Sequence, residues 1–181
     1  MDFERLFKNL CDNIFEAQVK LGFEGRPMSL NYTFSTVRNL LGANLSDEEL
    51  SCALGKFTEY ARETLGNVVV RPIKDGFCIT VPEKGTAYVH EHPEGGEFIR
   101  EFIEALRRRC TLDEAFDVFR SYSDEVHIEE VHNDEFDYLV YFGGGIPDSY
   151  RYCITAEEEI DGSFHITYHR FIREDYDELG F

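Results

Sequence analysis

The chain has no tryptophan, two methionines and five prolines in 181 residues. Its five cysteines, Cys11, Cys52, Cys78, Cys110 and Cys153, stand far apart, with no Cys-x-x-Cys pair among them. That spacing excludes a cysteine-built zinc motif. An odd, scattered set in a chain of this length points to reduced thiols and so to the cytoplasm. No cysteine has a base suggested beside it, and small buried hydrophobes are the simpler reading than nucleophiles. Long apolar runs are missing too. No stretch approaches the ~20 residues that a membrane span requires, and the N-terminus is a charged amphipathic pattern rather than a leader. There is no phosphate-loop motif, dinucleotide fingerprint or Ser-His-Asp pattern, so no common enzyme class is signalled and no cofactor is expected. Gly143-Gly144-Gly145 leads through Ile146-Pro147-Asp148-Ser149 into a further strand with no lysine following, which makes it a connection rather than a phosphate cradle.

Positive charge is scarce in one part of the chain. Residues 111–181 hold 19 acids and four bases, whereas residues 1–110 hold 17 and 14. Nearly all of the net charge of −18 therefore sits in the last 71 residues. Such a surface repels nucleic acid and anionic lipid, and it attracts cations or a basic partner. What the chain has in quantity is aromatic residues, 16 Phe and 10 Tyr, enough for a real core and too many for a disordered segment.

Periodicity divides the sequence into a helical first part and an acidic second part, with the expected boundary between residues 92 and 93. Phe3, Leu6, Phe7, Leu10, Ile14, Ala17 and Leu21 recur at helical spacing, stopped by Gly22. A short extended piece, Met28 to Tyr32, precedes a helix carrying Phe34, Val37, Leu40 and Leu41. Ser46 and Glu49 have capping-box spacing and open a longer helix with Leu50, Ala53, Leu54, Phe57, Ala61 and Leu65 inward, closed by Gly66. Two β-rich runs, Asn67 to Ile73 and Phe77 to Val81, flank Lys74-Asp75-Gly76, where Asp-Gly suits the positive φ of a tight hairpin. Beyond residue 93, helices are expected over 97–109 and, from a Thr111/Glu114 capping box, to about residue 122. The period then changes to two. Val126 to His132, Phe136 to Phe142, Tyr150 to Ile160 and Phe164 to Ile172 read as four antiparallel strands. The Asp161-Gly162-Ser163 loop places Tyr152, Ile154, Ala156 and Ile160 on one face with Phe164, Ile166, Tyr168 and Ile172. Asn133-Asp134-Glu135 likewise aligns Val126 and Ile128 with Tyr138, Val140 and Phe142. The fold class is α+β: a helical region with a β-hairpin, two further helices and a four-stranded antiparallel meander.

The order strand, helix, turn, helix, strand, turn, strand over residues 28–85 resembles a winged helix. ITVPEKG (79–85) resembles the LTEKG string that follows the wing in winged-helix regulators of the drug-resistance type, with Pro82 in place of the family's Thr. The string NYTFSTVRNLLG (31–42) resembles a bacterial protein family of unknown function, which implies no activity. In a DNA-reading winged helix the contacts would come from Arg38, Lys56, Arg62, Arg71 and Lys74. Asp47, Glu48 and Glu49 lie near the helix end that would enter the groove, against phosphate. Nucleic acid is therefore the disfavoured partner and another protein the favoured one.

Two histidine patterns raise metal chemistry. Glu157 and Glu159, with His165 and His169 opposite, fall on the outward face of the last hairpin beside Arg151, Cys153, Thr155 and Thr167. The imidazole–carboxylate set suits zinc or manganese, yet the two His Cα atoms would lie about 13 Å apart at ~3.3 Å per residue. A solvated face with cross-strand pairs is the simpler reading. His90 and His92 flank Glu91 in an x-His-x-His piece expected to be a linker, whereas His127 and His132 are expected on opposite faces of a strand. Arg107-Arg108-Arg109 ends a helix, where cations oppose the dipole. Three functions follow in order: a cytoplasmic protein-interaction protein without catalysis, a transcription regulator with a sensing or dimerising second half, and a metal or small-molecule site on the C-terminal sheet.

Overall fold

A computed structural model describes residues 1–131, 133–160 and 164–180. Seven helices and two antiparallel sheets of three and four strands make the fold α+β among these residues. His132 and the Asp161-Gly162-Ser163 loop lie outside the described residues, as does Phe181. The chain divides into two compact units, Met1–Glu94 and Gly95–Phe181.

In the first unit, α1 (Phe3–Leu21) buries Leu6, Leu10, Ile14 and Phe15. It is followed by β1 (Met28–Thr33), α2 (Phe34–Leu41), α3 (Asp47–Leu65), β2 (Val69–Ile73), β3 (Gly76–Val81) and α4 (Glu83–Glu91). The capping box at the start of α3 is formed in full: Ser46 Oγ accepts from Glu49 N, and Ser46 N donates to the Glu49 carboxylate at 2.9 Å. The inward face of α3 is the expected one, with Leu50, Ala53, Leu54, Phe57, Ala61 and Leu65 all buried. The three leucines and Phe57 contribute about 1.5–3 kcal/mol each on full burial, the two alanines less.

The two β-rich runs pair in antiparallel, and the sheet order is β1-β3-β2. The hairpin itself differs from the sequence expectation. Gly76 begins β3 instead of supplying a positive φ, and neither Lys74 nor Asp75 is left-handed. Glycine is required there for a different reason. A Cβ would run into the Tyr32 carbonyl of β1 and lie 2.8 Å from Thr33 Cα. Close approach of the neighbouring strand, not turn geometry, fixes this residue.

The second unit starts with α5 (Gly96–Arg107) and α6 (Leu112–Tyr122), the latter opened by the Thr111/Glu114 capping box. The meander β4 (Val126–Glu130), β5 (Tyr138–Phe142), β6 (Arg151–Glu158) and β7 (Phe164–Phe171) pairs in sequence order. Val126 faces Phe142 and Ile128 faces Val140, as the loop length implies. Tyr152, Ile154 and Ala156 share the core face with Ile166 and Tyr168. Ile160 does not: β6 ends at Glu158, and Ile160 is fully exposed. Phe98 is the hub of this core, with ring contacts to Phe102, Phe119, Phe142 and Tyr152 at 4.9–5.9 Å between centroids. A last short helix, α7 (Arg173–Leu179), was not signalled by a periodic apolar face. It has no buried residue, and only Tyr176 and Leu179 are large and apolar in it.

Candidate functional site

The α3–hairpin surface is where a winged helix would meet DNA, and its cations are only partly available. Arg38 on α2 donates from Nε to the Leu45 carbonyl at 2.7 Å and from Nη2 to Asp47 Oδ1 at 2.6 Å. It therefore ties the α2–α3 turn to the first turn of α3. Arg62 is held by Glu59 one turn earlier, at 2.6 Å. Lys56, Arg71 and Lys74 are exposed. Over residues 46–76 the chain carries six acids and four bases. Glu49 is further committed to the helix start, where hydrogen bonds from Ser46 hold its carboxyl below the usual range.

The same helix presents a second feature, outside the apolar stripe that the sequence shows. Tyr60 is 51% exposed, and its ring lies 5.8 Å from Phe3 and 6.0 Å from Phe7 of α1. Phe57 anchors this aromatic group from below, 6.1 Å from Phe3. The signal in the sequence was the surplus apolar position: Tyr60 falls just outside the stripe formed by Phe57 and Ala61.

On the four-stranded sheet, the expected outward face is more covered than a solvated face would be. Cys153 is buried, in a small core with Phe136 and Leu139, and Val131, Tyr141, Phe171 and Tyr176 pack on it. Burial pushes the Cys153 thiol up to about 12. Tyr141 is flanked by His127, stacked at 4.8 Å, and by the Arg151 guanidinium at 4.0 Å, while its hydroxyl donates to Glu129. This row of His, Tyr and Arg across β4, β5 and β6 comes from strand register, which the sequence alone does not reveal.

Strand register sets Glu157 directly opposite His165, and His169 opposite Cys153, with the Thr155–Thr167 pair between. Glu157, His165 and His169 are exposed. Glu159 lies past the end of β6 and points to a different partner, Arg109 Nη1 at 3.6 Å. Among the described residues, no group of three or more His, Cys, Asp or Glu is close enough together to hold a metal ion. The other histidine pair is also separated. His90 lies within α4 and His92 caps it, so neither belongs to an extended linker. Their rings take separate partners, Phe23 at 4.2 Å and Tyr88 at 4.6 Å. The triple arginine ends α5 as its position implies: Arg108 N donates to the Glu104 and Ala105 carbonyls, and Arg109 takes a left-handed φ of 56°.

Residues 3–180 match the family model described as "Domain of unknown function, E. rectale Gene description (DUF3877)". The chain belongs to this family. No curated protein and no solved structure matches it. The features above are therefore those of a DUF3877 member, and any activity has to be argued from its own residues. No helix among the described residues is long and apolar enough to cross a membrane.

Proposed function

We propose that this chain acts in the cytoplasm without catalysis, through protein contacts made by a winged-helix-like module in its first unit. The preferred partner is a basic protein segment. The order β1-α2-α3-β2-β3 and the β1-β3-β2 sheet support the winged-helix reading. The observation that carries the function is the treatment of charge on α3. Two of the five cations a DNA reader would need are spent on neighbouring carboxylates, and the first turn of α3 is acidic. Phosphate contacts require free Lys and Arg, so this surface is poorly matched to a duplex. It suits a protein better. Tyr60 offers an exposed amphipathic ring beside Glu59 and Glu63, the pattern of an aromatic anchor with a charged rim.

Replacing Tyr60 with a photoreactive benzoyl-phenylalanine in cells tests this reading. The expected result is a discrete protein adduct at position 60 that fades as salt rises, and none from the same group placed at Lys74. Adducts of equal yield at both positions, or none at Tyr60, would contradict it.

A further inference from the structure

The first unit contains a cleft of about 240 Å³ at the C-terminal end of α1, away from the Tyr60 surface. Gln18 forms part of its lining and is only 4% exposed. Its Nε2 donates to the Thr86 carbonyl of α4 at 2.7 Å. A carbonyl oxygen can only accept, so this bond fixes which end of the amide carries the nitrogen. The Oε1 atom is left buried with no hydrogen-bond partner in the protein. A buried acceptor in that state costs about 1–3 kcal/mol, which a donor entering the cleft would recover.

The rest of the lining narrows the class of ligand. Leu21 (78% exposed), Phe23, Pro27 and Met28 make apolar walls. The Phe23 ring is held by stacking on His90 with planes 11° apart. At the rim, Glu24 and Arg26 pair with each other at 3.2 Å and leave no net charge to select an ion. The volume falls below the ~300 Å³ at which ordinary cofactor pockets begin. We infer that this cleft is a binding site for a small uncharged apolar molecule bearing an N–H or O–H donor, with Gln18 Oε1 as the acceptor that selects it. Carboxylates and phosphates are rejected, because they would set an acceptor against an acceptor. Since Oε1 is closed to solvent, a donor in the cleft bonds to it only with a small side-chain movement in the lining.

Indole and benzofuran provide the test, being alike in size and shape while only indole has an N–H. The full-length protein, labelled with ¹⁵N, is titrated with each and followed by NMR. Expected are saturable shifts at the Gln18 side-chain amide and over residues 21–28 with indole, and at least about tenfold weaker binding of benzofuran. That factor is about 1.4 kcal/mol, the size of one recovered hydrogen bond. Gln18→Met should abolish the preference. Because that change also strips Thr86 of its donor, Leu21→Glu serves as a second variant: it leaves Gln18 in place and should weaken indole by placing a charge in the apolar wall. Equal affinity for the two probes, shifts elsewhere on the unit, or no shifts at all would overturn the inference. The last outcome is the one expected if a water molecule already satisfies the oxygen.

Discussion

Among the side chains whose ionisation is displaced, Tyr152 and Cys153 are buried, and loss of solvent is the first cause for every one except Glu49. Tyr152 is fully buried, donates to Asp148 at 2.6 Å, and is held well above the usual tyrosine range by loss of solvent and by the Asp148 charge. Tyr122 is pushed up to about 12 by desolvation and by its bond to Glu101. A raised folded-state value means that folding favours the protonated phenol. The contribution is complete below the unfolded value, near 10, and is lost as pH rises through the folded one. The second unit should therefore lose stability above about pH 10. In a 295 nm titration, Tyr152 should ionise only with unfolding, and Tyr152→Phe should flatten the alkaline limb. Early titration of every tyrosine would contradict this. Glu49 has the opposite sign: its depressed folded value gives stability that is present above the ordinary value of 4.5 and lost as pH falls. Burial and the Asp12 charge push Cys11 up to about 12, matching Cys153, whereas Cys52 is exposed. An aromatic disulfide reagent at pH 8 should modify Cys52 first and reach Cys11 and Cys153 only in denaturant.

Helices and strands were legible where a local rule acts alone. Both capping boxes stand as Ser46/Glu49 and Thr111/Glu114 imply, because their chemistry is confined to four residues. Thr111→Ala should cost about 1 kcal/mol, read as a lowered denaturant midpoint with unchanged m-value. Features set by distant neighbours were not legible. Gly76 looked like a turn residue, but the Tyr32 carbonyl dictates it; the burial of Cys153 depends on Phe136, Leu139 and a helix with no apolar stripe. Gly85 is a similar case in α4, where a Cβ would meet Val81 and come within 2.6 Å of the Leu65 carbonyl oxygen. Gly85→Ala should destabilise the first unit by about 1–3 kcal/mol, on the order of 10 °C in melting midpoint. Of the candidate site residues, alternation put Glu157 and Glu159 on the face of His165 and His169; the strand register, which the sequence did not fix, sets Glu157 opposite His165, and Glu159 lies beyond the end of β6 at Glu158.

The whole molecule is an electrostatic asymmetry built on two ordinary cores. The first unit holds 14 acids and 10 bases, and the second holds 22 and 8. Self-repulsion of that magnitude opposes compaction and is screened by salt. Raising sodium chloride from about 10 to 500 mM should thus stabilise the second unit, by amide exchange, more than the first. In the proposed winged-helix reading of the first unit, charge argues against DNA as the partner: Arg38 and Arg62 are turned to Asp47 and Glu59. The most direct measurement is the affinity of the intact protein for duplex DNA, by fluorescence anisotropy at ~50 mM salt with random and upstream sequences. The account predicts binding no tighter than about 10⁻⁶ M and indifferent to sequence. A dissociation constant below about 10⁻⁷ M, with a steep dependence on salt, would contradict it.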